Sequence, residues 1–490
     1  MPTGGGKSLC YAVPALMEQK LVVVVVVFPL LALLFDQFER MKSNRLNVGF
    51  LMKDMDEMDR QSVIHKLHSN PPEYNLLFLT PETVLSPSVF DLLSKLSSEN
   101  LINFFVIDEA HCIDTWGFHF RPCYAELWRL GTLGCPIMAM TGTVTSRTLA
   151  TIIKNLKLPN ETKVIKQISN RANLFYHVVE KRSNAHATIL SIIQKNFSEQ
   201  CGIIYCIERR DTVEVSYHLQ KAGVNAVFFH AGMDVHDKQS TVENWKAGTA
   251  HVICATVAFG MGIDKANVKF VIHLSIPKDL ESYAQESGRA GRNGSEAHCF
   301  ILFRFEDRTK HLRNISLLPD SDHKVVSLQG LNDIVNYCIT PICRRKQIVN
   351  YFDKDDHSGD ECHKTCDICV SDVVVEPVDY SMEAKNVIDC LKGMQRIQAK
   401  VTAKFLTLTF RGSKSSAVIN KGFQNVNEYG KGKEKFNEKQ LQKFIHCLIN
   451  GRVLDEQLPS SCEKCTTPYL CVGPNGTKLK NNEVGFIHYK

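Results

Sequence analysis

Residues 1–8, Met-Pro-Thr-Gly-Gly-Gly-Lys-Ser, constrain the fold of this chain more than any other stretch. Three consecutive glycines, Gly4, Gly5 and Gly6, let backbone N–H groups wrap a polyphosphate without Cβ clashes. Lys7 then stands where an ammonium reaches the β- and γ-phosphates of a nucleotide, and the Ser8 hydroxyl where it can sit on Mg2+. Residues 8–17 are expected to form a helix whose positive N-terminal end points at the same anion. A glycine-rich turn ahead of a helix can also be purely structural, and Met1 stands in the place of the usual first glycine. A phosphate loop hangs between a central parallel strand and its helix, so this reading requires a parallel sheet; the strand expected ahead of the loop has no counterpart here.

The residues that follow meet that requirement. Six valines at 22–27 read as a strand buried on both faces of a parallel sheet. The apolar run 21–35 is too short for a bilayer and contains Pro29, so neither a membrane helix nor a membrane partner is expected. No secretory signal is expected either. Strand-like runs at 76–79, 104–107 and 137–140 alternate with amphipathic segments, the rhythm of helices on both faces of a parallel sheet. The rhythm restarts after Arg171 with runs at 202–206, 226–230, 252–255, 270–273 and 298–303. The length of 490 residues accommodates three or so domains. The expected division is 1–170 and 171–304 as two similar α/β units with a ligand cleft between them, 305–379 as a cysteine-bearing module, and 380–490 as a small basic domain.

Four sets of residues carry chemistry. The run Phe104-Phe105-Val106-Ile107 ends in Asp108-Glu109-Ala110-His111, two adjacent carboxylates at the C-terminal end of a buried strand. Asp108 is placed to hold a nucleotide-bound metal and Glu109 to polarise an attacking water, although an acidic strand-end turn would look the same. Gln285-Glu286-Ser287-Gly288-Arg289-Ala290-Gly291-Arg292 sets two arginines three apart, expected on one helical face. They are either solvated surface or the guanidinium charge that a phosphoryl-transfer transition state needs, reaching across from the second unit. Cys343, Cys362, Cys366 and Cys369 have the spacing of a four-thiolate structural Zn2+ site. Cys462 and Cys465 lack convincing partners and read as a chance pair, and most of the 18 cysteines read as reduced core residues. Residues 381–490 carry 18 Lys/Arg against 9 Asp/Glu, a net of +9 that leaves −3 for the remainder of a chain whose total is +6. Such a basic tail is the footprint of a nucleic-acid module or simply a lysine-rich surface.

Taken together these residues resemble the RecQ group of superfamily 2 DNA helicases over nearly the whole chain. Residues 2–8 look like motif I, Pro29-Leu30-Leu31-Ala32-Leu33 with Asp36-Gln37 like motif Ia, and Thr80-Pro81-Glu82 like motif Ib. Asp108 to His111 look like motif II, Thr141-Gly142-Thr143 like motif III, and Gly202-Ile203-Ile204-Tyr205-Cys206 like motif IV. Ala255-Thr256 with Phe259-Gly260-Met261-Gly262-Ile263-Asp264-Lys265 is similar to motif V, and residues 285–292 to motif VI; DEAD-box RNA helicases differ at both. Trp116-Gly117-Phe118-His119-Phe120-Arg121-Pro122 resembles the aromatic-rich loop that senses single-stranded DNA, with Phe118 and His119 replacing the family's His and Asp. Aromatic faces stack bases at about 1–3 kcal/mol each, and Arg121 adds charge. The cysteine cluster coincides with the family's zinc-binding domain. The tail resembles its winged helix, with Tyr429-Gly430-Lys431-Gly432-Lys433 as a glycine-lysine turn, 439–450 as a core-facing helix and 452–472 as a hairpin wing.

The resemblance implies two RecA-like parallel-sheet domains followed by a zinc-binding helical module and a winged-helix domain. It implies ATP, Mg2+ and Zn2+ as cofactors, single-stranded, forked or branched DNA as partner, 3′→5′ translocation, and a nuclear address; a homo-oligomer is one admissible assembly. The nucleotide would be held by Gly4, Gly5, Gly6, Lys7, Ser8, Asp108 and Asp264. Catalysis would fall to Lys7, Asp108, Glu109, Gln285, Arg289 and Arg292. DNA contacts would come from Gln37, Trp116, Phe120, Arg121, Lys431 and Lys433. In the family the segment upstream of the loop supplies an adenine-reading Gln and an anchoring strand. Their absence here raises the expectation of a chain truncated at its N-terminus and the short form at its C-terminus. The alternative function is then a DNA-binding fragment with weak or no ATP turnover.

Overall fold

The computed structural model describes residues 5–17, 22–69, 71–113, 122–166, 170–260, 265–319, 321–353, 362–371, 376–458 and 467–489. Gly4, Trp116, Phe120, Arg121, Asp264, the Cys462/Cys465 pair and residues 459–466 of the expected hairpin lie outside them.

The valine run forms β1 (Val23–Val27), every residue of which is buried. With β2 (Val48–Phe50), β3 (Leu76–Leu79), β4 (Ile102–Ile107) and β5 (Ile137–Ala139) it makes a five-stranded, all-parallel sheet in the order β2-β3-β1-β4-β5. Alternate valines serve alternate faces. Val23, Val25 and Val27 pack with Leu77, Leu93 and Phe105, while Val24 and Val26 pack with Tyr11 and Ala15 of the helix Leu9–Met17. This is the burial on both faces that a parallel sheet imposes.

The second sheet is also all parallel. It contains β6 (Leu174–Glu180), β7 (Gly202–Tyr205), β8 (Ala226–Phe229), β9 (Val252–Ala255), β10 (Phe270–His273) and β11 (Ala297–Phe303), in the order β6-β11-β10-β7-β9-β8. Within these two sheets, two strands were not read from the sequence: β2, only three residues long, and β6, whose His177 and Glu180 dilute its apolar character.

After the second sheet come the helices Arg308–Ser316, Asp322–Ile339 and Arg344–Phe352, the last beginning just after Cys343. In the C-terminal module the helix Glu438–Asn450 starts on a capping box, the Asn437 side chain and Gln440 satisfying each other's backbone N–H groups. It buries Leu441, Phe444, Ile445 and Leu448, the residues expected to face the core. The hairpin is present as antiparallel strands Leu454–Gln457 and Tyr469–Val472. No helix among the described residues is long and apolar enough to cross a membrane.

Candidate active site and metal centre

The glycine loop turns into its helix through Gly6, whose φ of +84° lies in the left-handed region where a side chain is strained. The Gly6 carbonyl accepts from Leu9 N at 2.9 Å, so Lys7 and Ser8 sit at the helix entrance. Opposite them β4 delivers Asp108 and Glu109 at its C-terminal end, the Asp108 amide donating to Val27 O of β1 at 3.0 Å. Lys7 Nζ reaches Glu109 Oε1 at 2.7 Å. The other carboxylate oxygen, Oε2, lies 3.3 Å from His111 Nδ1, which is also 2.9 Å from Thr141 Oγ1. Residues of motifs I, II and III thus meet in one line of polar contacts, hydrogen-bonded at Lys7–Glu109 and His111–Thr141 and within ion-pair distance at Glu109–His111. Glu109 itself has φ of +48°, the backbone strain that concentrates at functional sites.

The charges explain one another. Burial alone would lower the Lys7 ammonium, but Glu109 and then Asp108 raise it above its ordinary value. Burial would raise the Glu109 carboxyl, yet Lys7 and His111 hold it well below the usual carboxylate range. Asp108 is pushed up, first by burial and then by the Glu109 charge. Asp108 Oδ1 is buried with no hydrogen-bond partner among the described residues. A buried carboxylate oxygen left without a donor beside a phosphate loop fits a divalent cation, and Ser8 supplies the neighbouring hydroxyl.

Arg292 of the second sheet's domain comes close enough for its charge to oppose those of Glu109 and Asp108 at Lys7. Arg289 is buried, with its charge acting on the Tyr205 hydroxyl of β7; a Cβ added to Gly260 would lie 3.5 Å from its Nη2. The expected helical face is not what presents this pair. The helix Leu280–Ser287, which carries the half-buried Gln285, ends before them. Both arginines sit in the following turn, bent at Gly291 with φ of +55°. Gly288 and Gly291 break the helical period, so the three-residue spacing becomes a turn. Sequence reasoning also assigned no role to His111 or Thr141, whose bonds to Glu109 and to each other have no spacing signature.

Gln37, expected at DNA, accepts from Tyr11 Oη at 3.1 Å, between the helix Leu31–Ser43 and the helix after the glycine loop. Lys431 and Lys433 are both exposed, Lys431 lying 3.4 Å from Glu428. Their turn is pinned by glycines: a Cβ on Gly432 would meet the Phe410 ring at 2.6 Å, and one on Gly412 would meet Gly430 Cα at 2.9 Å. Close backbone approach there turns the lysines outward.

The Sγ atoms of Cys343, Cys362, Cys366 and Cys369 all lie within 4.8 Å of one another, with Cys343 and Cys366 4.0 Å apart. A tetrahedron of thiolates at about 2.3 Å from Zn2+ has edges of about 3.8 Å, so the four residues fit that ion. Arg344 holds the knuckle from outside through Asp367 at 3.0 Å.

Two parallel sheets, a phosphate loop facing a strand-end carboxylate pair, and arginines from the second sheet's domain close to the same place define a two-lobed P-loop fold. Family models agree along the chain: DEAD/DEAH box helicase over residues 1–152, helicase conserved C-terminal domain over 184–294, RecQ zinc-binding over 305–370, and RQC domain over 375–487. The ATP-dependent helicase SGS1 of Saccharomyces cerevisiae is 35% identical, covering 98% of this chain and 33% of that protein. The ATP-dependent DNA helicase Q1 of Mus musculus is 32% identical, covering 98% of this chain and 72% of that protein. The chain thus spans about a third of the length of SGS1. Among solved structures, the DUF1998 helicase MrfA bound to DNA matches with a TM-score of 0.51 at 16% identity, over 68% of this chain and 51% of that one, a likeness of fold alone. The chain belongs to the RecQ family of superfamily 2 helicases.

Proposed function

We propose that this chain is a DNA-dependent ATPase that translocates 3′→5′ on single-stranded DNA and separates duplex, acting on forked or branched DNA in nuclear repair and recombination. The observation that carries the reading is the Lys7–Glu109 contact at 2.7 Å with Arg292 close enough to act on the same ammonium. A triphosphate entering the loop takes Lys7 onto its β- and γ-phosphates and releases Glu109. Glu109, still steered by His111, then orients the attacking water. Arg289 and Arg292, with Gln285 behind them, meet the charge that builds on the transferring phosphoryl group, so turnover requires the lobes to close. Ser8 and Asp108 would hold Mg2+, whose charge would offset that of the phosphate oxygens. Asp264, outside the described residues, is assigned to the nucleotide on its resemblance to motif V alone.

The domains are 1–170, 171–304, 305–379 and 380–490, the last a winged helix whose wing is the hairpin Leu454–Gln457 with Tyr469–Val472. DNA contacts come from Gln37, Trp116, Phe120 and Arg121 in the first lobe and from Lys431 and Lys433 in the winged helix. A DNA-stimulated ATPase assay tests the reading. Lys7→Ala and Glu109→Gln should each lower the stimulated rate by about 100-fold or more while DNA binding persists. Stimulated hydrolysis that survives either substitution overturns it.

A further inference from the structure

The segment joining the two sheets carries a guanidinium, that of Arg171, that makes no ion pair among the described residues. Arg171 donates from Nη1 to Gly288 O at 3.0 Å and from Nη2 to Ala290 O at 3.1 Å and to Gly291 O. Its remaining partner is Asn173 Oδ1 at 3.5 Å. Asn173 reinforces the grip, donating from Nδ2 to Gly291 O at 2.9 Å and to Ser295 O at 2.7 Å. The three carbonyls held by Arg171 bracket Arg289 and immediately precede Arg292. That turn lies beyond the helix Leu280–Ser287, where the α-helical ladder gives way to three-residue bonds, Ala290 N to Ser287 O at 3.0 Å and Gly294 N to Gly291 O at 3.0 Å. Its amides are tied on one side, Gly291 N to Val268 O at 2.8 Å and Asn293 N to Ala266 O at 3.3 Å. Its carbonyl side is tied by Arg171 and Asn173.

The other end of this connection is fixed as well. Arg345, buried one residue beyond Arg344 in the zinc module, donates to the Asn170 side chain, to Arg171 O at 2.9 Å and to Leu174 O at 2.8 Å. It also donates to Thr365 Oγ1 at 2.8 Å, inside the Cys362–Cys366 knuckle. The backbone of the inter-lobe joint is thereby held to the zinc module, and its side chain holds the arginine turn.

We propose that Arg171 is a positioning residue for Arg289 and Arg292: from the joint between the lobes it sets the turn that presents both guanidinium groups to the nucleotide. The inference rests on the ATPase reading above. Because the same residue belongs to the joint, lobe closure and arginine placement share one geometric reference. A lysine cannot replace it, since a single ammonium on a flexible stem does not span carbonyls that a planar five-donor fork spans together.

The test uses the full chain with Arg171→Ala and Arg171→Lys. Both should lower kcat of DNA-stimulated hydrolysis by roughly 10–100-fold, the cost of a misplaced catalytic group, while KM for ATP and affinity for single-stranded DNA stay within about twofold. Adding Arg289→Ala to Arg171→Ala should cost less than the product of the two single effects, because both act through one turn. Hydrogen exchange over residues 286–296 should quicken in both variants with the zinc module's peptides unchanged. Wild-type kcat in Arg171→Ala, or unchanged exchange over 286–296, overturns the proposal. A wild-type chain without DNA-stimulated hydrolysis would instead defeat the motor reading, and the exchange measurement would still decide whether Arg171 holds the turn. Should Arg171→Ala fail to fold, Arg171→Lys carries the same two readouts.

Discussion

The first sheet packs both faces against its own helices, in two clusters whose fully buried residues stop at Leu156. One face of the second sheet closes the same way, but the other opens into a core that runs on through Leu331, Cys366, Met394, Leu448 and Leu479. The zinc module and the C-terminal module therefore share one continuous interior with the second sheet. Among the described residues the ion pairs that reach the first sheet's domain, such as Lys246–Asp36 at 3.4 Å, are of another kind, polar and partly exposed. Opening and closing would then move the first sheet against a single block that carries both the arginine turn and the exposed lysines of the C-terminal module. Nucleotide state could reach the C-terminal module without any flexible relay.

The largest effect that could break this comparison comes from the metal centre. Zinc binding to such clusters is worth about 10–16 kcal/mol in isolated peptides, and Cys366 is buried inside the shared core. Cys366→Ser should abolish zinc content and make the whole block, including residues 376–458, sensitive to limited proteolysis, while residues 22–156 resist. If only the knuckle were cut, the core would be divisible and the block would not be one body.

A second test attacks the seam between the zinc module and the C-terminal module. Arg308 and Glu456 form an ion pair with side chains only 5% and 7% exposed, and Arg308 Nη2 also reaches Asn332 Oδ1 at 3.0 Å. Beside them the Phe305 and His446 rings stack at 3.8 Å. Arg308→Ala leaves the Glu456 carboxylate buried and uncompensated, which should cost about 3–5 kcal/mol in denaturant unfolding of the block. Replacing both residues with apolar ones of similar volume should restore most of that loss, because the pair's own desolvation is then avoided.

The two regions also differ in how openly the sequence displays them. The valine run announces β1 because a strand buried on both faces needs no polar alternation, and the helix Glu438–Asn450 shows its apolar residues at a period that survives folding. The zinc ligands are legible because metal chemistry restricts residue type and spacing together. The arginine pair reads from its spacing as a helical face, since spacing alone does not reveal that the helix ends at Ser287, before both guanidinium groups. Arg171 and Arg345 were invisible for a deeper reason. Most of their acceptors are backbone carbonyls, which every residue possesses and which leave no trace in side-chain patterns.

Acidity offers a smaller effect that should appear in one region and not the other. Glu281, in the first turn of the helix Leu280–Ser287, accepts from Tyr351 Oη at 2.8 Å. Burial, aided by the neighbouring Asp279, pushes its carboxyl up to about 7. A carboxyl raised in the folded state binds its proton more tightly there than in the unfolded chain. Its contribution is therefore full below the ordinary glutamate range and is lost as pH rises through about 7. Stability of the block should increase by on the order of 1–3 kcal/mol as pH falls from about 8 to 5, and Glu281→Gln should flatten that slope. Urea unfolding followed by a probe in the first sheet should show no Glu281-dependent change.

The smallest effect probes the join between the two regions. Asp36 and Lys246 are 23% and 41% exposed, so water and salt screen their attraction. Asp36→Ala should leave the unfolding of both regions unchanged and shift lobe closure by no more than about 1 kcal/mol. Fluorescence energy transfer between dyes on the helices Pro87–Ser98 and Arg209–Lys221 would read that shift directly. The wild-type chain in about 0.5 M salt should reproduce it, because screening removes the same attraction that the substitution deletes. A shift well beyond 1 kcal/mol, or one that salt fails to mimic, would mean that the lobes are held by buried contacts. The second sheet's block would then no longer be the only part of the molecule that moves as one.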